Sequence, residues 1–172
     1  AYNSKTIIPN ENITITSKKA KYIKDKKIII FEDDVFFDDK KSSLTIQSQK
    51  ISYDKDKDLI YSNNETFFDI ENKYKIKSND VFFNRKINEI YSDKATVLKD
   101  DKKNIYNFRE KFKYDLNDRI VKSNYSIIED IDGNKYNFDN LVVNLKNNEI
   151  IGTGLDVEYK DSYFGNKDND PI

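Results

Sequence analysis

The chain repeats itself about every thirty residues, and that period restricts what it can fold into more than any bulk property does. One column of the repeat runs Tyr22, Tyr53, Phe83, Tyr114, Val143, in steps of 31, 30, 31 and 29. A second column is aliphatic (Ile28, Leu59, Ile90, Ile120, Ile150) and a third is β-branched (Val35, Thr66, Val97, Ile127, Val157). Within a unit, Ile13-Thr-Ile15-Thr-Ser17, Leu44-Thr-Ile46-Gln-Ser48 and Tyr74-Lys-Ile76-Lys-Ser78 alternate apolar and polar residues, the pattern of a strand with one buried face. The phase then slips, because Ser17 to Ala20, Ser48 to Ile51 and Ser78 to Val81 are three-residue steps. A one-residue slip swaps faces unless the chain bulges, so a β-bulge or strand break is expected at each serine. Polar quartets at 24–27, 55–58 and 116–119 read as turns, which makes each unit a hairpin. Asp132-Gly133-Asn134, a tight-turn signal, starts the link into the fifth unit.

One hairpin cannot bury its apolar face alone, so five of them must stack. The expected fold is all-β: a repetitive, sandwich-like β-jellyroll of about ten strands in two facing antiparallel sheets, with open edge strands at its ends. No helical period competes, and 172 residues suit one domain with a sizeable core.

Composition limits the chemistry. The chain has no cysteine and no histidine, which removes disulfides, thiolate metal sites, cysteine nucleophiles and histidine bases. Its 30 basic and 31 acidic residues mix along the sequence, so no basic face for nucleic acid or anionic lipid headgroups is visible in it. Asp54, Asp56 and Asp58 with Glu65 match the acidic spacing of a calcium-binding EF-hand loop, but the pivot position holds Leu59 where glycine is required. The other acids, including Glu32-Asp33-Asp34 with Asp38-Asp39, fall in turns or on outward faces, and Gly152-Thr-Gly154 reads as a strand irregularity. No catalytic residue, metal site or cofactor is therefore assigned. The 23 Tyr and Phe residues belong mostly to core packing. If the two sheets splay, however, the same side chains line a long trough suited to an elongated apolar ligand.

The units Ser17-Lys-Lys-Ala20-Lys-Tyr22 and Ser48-Gln-Lys-Ile51-Ser-Tyr53 are each followed by turn, aliphatic and acidic-Val/Thr segments. In this the chain, over residues 13–159, resembles the OstA-like β-jellyroll of the lipopolysaccharide transport system, whose members are the periplasmic bridge LptA, the membrane-anchored LptC and the N-terminal domain of LptD. Residues 162–171 look like the segment leading from the LptD jellyroll to its barrel. The resemblance thus implies a V-shaped periplasmic domain at 1–161 and, at 162–172, a linker toward a C-terminal barrel. The implied setting is the periplasm, as the soluble domain of an outer-membrane protein of a Gram-negative bacterium, without the disulfide tether of some LptD proteins.

It further implies a non-enzymatic trough for the lipid A acyl chains of lipopolysaccharide, lined by Ile13, Ile15, Ile28, Ile30, Phe37, Ile46, Tyr53, Phe68, Ile76 and Phe83. The edge carrying Ile7, Ile8, Ile13 and Ile15 would meet an LptA-like bridge protein. The last unit, 141–159, would face the protein's own barrel and its LptE-like lipoprotein plug. The alternatives are a soluble LptA-like bridge protein, an extracellular β-repeat module that binds polysaccharide or protein through exposed aromatic rows, and a β-solenoid lyase.

Overall fold

Alternating segments bury one side only by pairing into a sheet with a covered face. The computed structural model describes residues 2–8 and 12–160, and apart from one 3-10 turn at Lys24–Lys26 the regular elements there are strands. They are β1 (Tyr2–Ile8), β2 (Ile13–Ile23), β3 (Ile28–Asp39), β4 (Leu44–Asp54), β5 (Leu59–Ser62), β6 (Thr66–Ile70), β7 (Tyr74–Ser78), β8 (Val81–Asn84), β9 (Glu89–Ser92), β10 (Thr96–Lys99), β11 (Ile105–Asp115), β12 (Ile120–Glu129), β13 (Lys135–Asn144), β14 (Glu149–Thr153) and β15 (Asp156–Glu158). The chain is an all-β, antiparallel jellyroll. The expected linker at 162–172 lies outside the described residues.

Six long strands, β2, β3, β4, β11, β12 and β13, each contribute one half to each of two facing layers. In the first layer, residues 52–54 of β4 pair with β5, which leads through β8 and β9 to residues 112–115 of β11. In the second, residues 44–48 of β4 pair with β6, which leads through β7 and β10 to residues 105–108 of β11. The layers close like a book whose spine is the line where the long strands cross. There are more strands than ten because the serine step splits the middle units. β7 stops at Ser78 and β8 starts at Val81, whereas β4 runs unbroken through the same step.

The irregularities expected at the serines are found at Ser17, as a register shift, and at Ser78, as a strand break, whereas at Ser48 the extra residue is in the partner strand β3, at Asp33-Asp34. Register shifts fall between Thr16 and Lys19, Glu32 and Val35, and Glu110 and Lys113. Left-handed backbone at Asp33, Asp34, Asp80, Lys111 and Tyr125 (φ 48 to 64°) turns the chain there. Buried hydroxyls bridge the interruption: Ser78 Oγ lies 2.6 Å from Thr96 Oγ1 and Ser48 Oγ lies 3.0 Å from Ser62 Oγ, while Ser123 Oγ donates to the Glu110 backbone carbonyl at 2.6 Å.

Opposite the spine, the hairpin turns of both layers form a fore-edge. In the first layer the turns are hydrogen-bonded to one another. The amides of Lys55, Arg85, Leu116 and Leu145 donate to the carbonyls of Lys27, Asp58, Asn88 and Arg119, one repeat earlier, at 2.9 to 3.2 Å. Each accepting residue has left-handed φ (51 to 57°), and in the later turns Asp54, Asn84, Asp115 and Asn144 cap the turn amides with side-chain oxygens.

Candidate functional site

The interior lies between two registered rows of side chains. One runs Ile29, Tyr53, Ile60, Phe83, Ile90, Tyr114, Val121 across the first layer. The other runs Ile15, Phe37, Ile46, Phe68, Ile76, Leu98, Tyr106 across the second. Both belong to a single hydrophobic cluster, with Ile29 at its margin. Each fully buried aliphatic or aromatic side chain contributes about 1.5–3 kcal/mol, so the rows hold the book shut.

Of the ten residues expected to line a trough, Ile13, Ile15, Phe37, Ile46, Tyr53, Phe68, Ile76 and Phe83 face this interior and are at most 3% exposed. Ile28 and Ile30 do not. They sit half-buried on the outer face, and Ile29 and Phe31 take the inward positions. The reason is local: 28–30 is an unbroken Ile-Ile-Ile, so alternation gives no parity, and the bulge at Asp33-Asp34 sets it from outside the segment. The expected edge also needs correcting. Ile13 and Ile15 are buried in β2, covered on one side by β1 and on the other by β3. The edges at this end are β1, where Ile7 is 56% exposed, and residues 21–23 of β2, which β1 does not reach.

Polar clasps close the fore-edge. Arg85, beyond the end of β8 in the first layer, donates to Asp39 of the second layer at 2.9 Å and to Asp58 at 2.7 Å. Its side chain is 6% exposed and that of Asp39 is 0%. Burial works against the guanidinium charge, but the hydrogen bonds to the two carboxylates outweigh it and raise the pKa above the ordinary arginine value. Arg119 Nη2 donates to both carboxylate oxygens of Glu71 (2.7 and 2.8 Å), Lys102 Nζ donates to Asn148 Oδ1 at 3.0 Å, and the rings of Tyr74 and Tyr114 meet edge to face at 6.4 Å, each contact joining the two layers. Burial raises the Tyr114 phenol pKa.

At the last repeat the cover over the interior is incomplete, although Phe138 still packs directly on Gly152. A cavity of about 520 Å³ opens there between Tyr106, Ile128, Tyr136 and Phe138 on one side and Ile150, Gly152 and Leu155 on the other. Ile150 is 46% and Leu155 58% exposed, so the interior has an apolar mouth at this end. Asp130 marks its rim. Burial opposes its charge, but hydrogen bonds from Asn134 and from the Tyr136 hydroxyl hold its carboxyl below the usual carboxylate range.

The remaining sequence candidates are engaged elsewhere. Asp54 caps its own turn, Asp56 meets Lys27, and Asp58 takes Arg85 and the Tyr53 hydroxyl, so the EF-hand-like run does not converge on one point. Glu32, Asp33 and Asp34 pair with Lys50, Lys19 and Lys18. On the outer face, Tyr61, Phe82 and Tyr91 stack at 6.1 and 5.0 Å, so their ring faces cover one another instead of forming a flat platform.

Residues 2–90 match the family model described as LptC: Lipopolysaccharide-assembly, LptC-related. Among solved structures, the chain is similar to the crystal structure of LptH, the LptA homologous periplasmic component of the conserved lipopolysaccharide transport device from Pseudomonas aeruginosa. The identity is 10%, over 88% of this chain and 99% of that one, with a TM-score of 0.34. A search of curated proteins returns no match.

Proposed function

Because the chain belongs to the LptC-related lipopolysaccharide-assembly family, we propose that it is a periplasmic component of a lipopolysaccharide bridge, taking acyl chains between its two layers. It is not an enzyme; it holds its cargo and hands it on unchanged. The observation that carries this reading is the pair of registered apolar rows, closed through the first repeats and opening at the last into a cavity with exposed Ile150 and Leu155. Lining residues are Phe37, Ile46, Tyr53, Phe68, Ile76 and Phe83, with Ile13 and Ile15 at the N-terminal end. Chains enter at the C-terminal mouth and displace the layers as they advance. Among the described residues, β1 and residues 21–23 of β2 at one end, and β14 and β15 at the other, present backbone edges for neighbouring jellyrolls of the bridge.

The narrower assignment, to the N-terminal domain of LptD with a barrel and an LptE-like plug as partners and an outer-membrane setting, draws on residues 162–171 alone. The LptC-related match supports a bridge component at least as well. Sequence downstream of residue 172 decides between them, since hundreds of residues of amphipathic barrel strands would restore the LptD reading. The interior is tested by photocrosslinking to lipopolysaccharide, with the probe at Phe37 and Phe68 inside and at Ile30 and Tyr91 outside. Adducts at the inner pair alone are expected. Equal labelling at all four positions, or none while circular dichroism shows the strands intact, would remove the acyl-chain reading.

A further inference from the structure

The charges look evenly mixed along the sequence, yet the fold sorts them. The turns at 24–27, 55–58, 85–88, 116–119 and 145–148 stack on one lip of the fore-edge and carry nine cations against four carboxylates; with Asp54 and Asp115, which cap two of these turns, the excess is three positive charges in a chain whose net charge is −1. The opposite lip, at 40–43, 71–73, 100–104 and 130–134, carries five of each sign. Lys24, Lys26, Lys55 and Lys146 on the basic lip are exposed, and among the described residues they make no ion pair. The backbone ladder between turns fixes the spacing of this strip, which borders the apolar interior along its length. An ordered row of cations beside an apolar slot is complementary to an amphiphile that carries negative charge where its chains meet its head.

We propose that this first-layer turn ladder is a headgroup strip, which binds the anionic groups, phosphate or carboxylate, of the amphiphile whose acyl chains the interior takes. The inference rests on the acyl-chain reading above. Arg85 and Arg119 occupy the inner side of the same lip, held by Asp39 and Glu71 of the other layer. When the layers part, each exchanges a protein carboxylate for a ligand anion, so that entry of an anionic ligand and opening of the fore-edge favour one another. The strip thereby selects anionic over neutral amphiphiles of equal chain length.

The test is calorimetric titration, below the critical micelle concentration, of the full chain with dodecyl phosphate and with dodecyl maltoside, which share a chain and differ in charge. A variant carrying Lys24→Gln, Lys26→Gln, Lys55→Gln and Lys146→Gln removes four exposed cations and leaves the core and the clasps untouched. The expected result is a loss of at least about fivefold in dodecyl phosphate affinity, as four weak surface charge contacts predict. Dodecyl maltoside affinity should stay unchanged, and only the phosphate titration should weaken with added salt. If the variant binds both amphiphiles as the parent does, the strip is overturned while the interior stands. If the parent binds neither, the acyl-chain reading fails, and the strip with it.

Discussion

Arg85 is the residue on which the two layers most depend. Its side chain and that of Asp39 are both sealed from solvent, and Asp39 also accepts the amides of Lys41 and Ser42 in its own turn. Removing the cation would leave a buried carboxylate without its counter-charge, and loss of one partner from such a pair costs about 3–5 kcal/mol. Arg85→Met should therefore lower the unfolding free energy measured in urea by that amount, whereas Arg119→Met, whose pair is about one-third exposed, should cost far less. Equal losses would mean that Arg85 is no more a clasp than its neighbour. Tyrosine burial gives a second test. Because burial raises the Tyr114 pKa in the folded state, its contribution is complete below the unfolded value of about 10 and is lost as pH rises above it. Tyr114→Phe, which keeps the ring, should shift alkaline unfolding, followed by circular dichroism, to higher pH. None of this pairing was legible in the sequence. Arg85 lies 46 residues from Asp39, which only the closing of the layers brings to it, and 27 from Asp58, which the pairing of β5 with β8 places beside it.

At the scale of the element, the strands were legible and their phase was not. The first column is a true cross-strand row, in which Tyr22, Tyr53, Phe83, Tyr114 and Val143 are linked in register through Ile29, Ile60, Ile90 and Val121. The second column mixes faces: the inward residues are Ile29, Ile60, Ile90, Val121 and Ile150, with the same 31, 30, 31 and 29 spacing as the first. Adjacent aliphatics such as Leu59-Ile60 and Ile120-Val121 hide the parity. A signal for the preceding turns was nevertheless present, since Asp54, Asn84, Asp115 and Asn144 recur in steps of 30, 31 and 29, and each caps the amides that follow it. Gly152 was read as a strand irregularity, and the structure gives the cause. A Cβ there would lie 2.4 Å from Phe138 Cδ1 and 2.8 Å from the Asn140 carbonyl, so β14 can pair with β13 only through glycine. Gly152→Val is expected to release β14. Amide exchange of residues 149–153 should accelerate by at least about tenfold while β4 and β6 keep their protection, and uniform protection across the variant would show that β13 can yield at this point.

For the molecule as a whole, the repeat dictated a two-layered stack but could not say whether the layers stand open or shut. That choice is set by contacts across the fore-edge between residues far apart in sequence. The spine is continuous backbone, braced by buried hydroxyls, so any separation must begin at the turns and widen toward the interior. A chain without cysteine allows this to be tested directly. Lys102 and Asn148 touch across the fore-edge at 3.0 Å, are exposed, and form no ion pair whose loss would confuse the result. The variant Lys102→Cys with Asn148→Cys, joined by a short bis-maleimide that contains a reducible bond, pins the turns of β10–β11 and β13–β14 together beside the C-terminal mouth. If acyl chains enter by parting the layers there, lipopolysaccharide crosslinking at Phe68 should fall at least about tenfold in the pinned protein and recover on reduction. The exposed, chemically mild site makes loss of fold an unattractive explanation, and circular dichroism before and after pinning checks it. Undiminished crosslinking in the pinned protein would mean that cargo reaches Phe68 without opening this edge, and entry would then have to be sought at the N-terminal end, where β1 does not extend along residues 21–23 of β2.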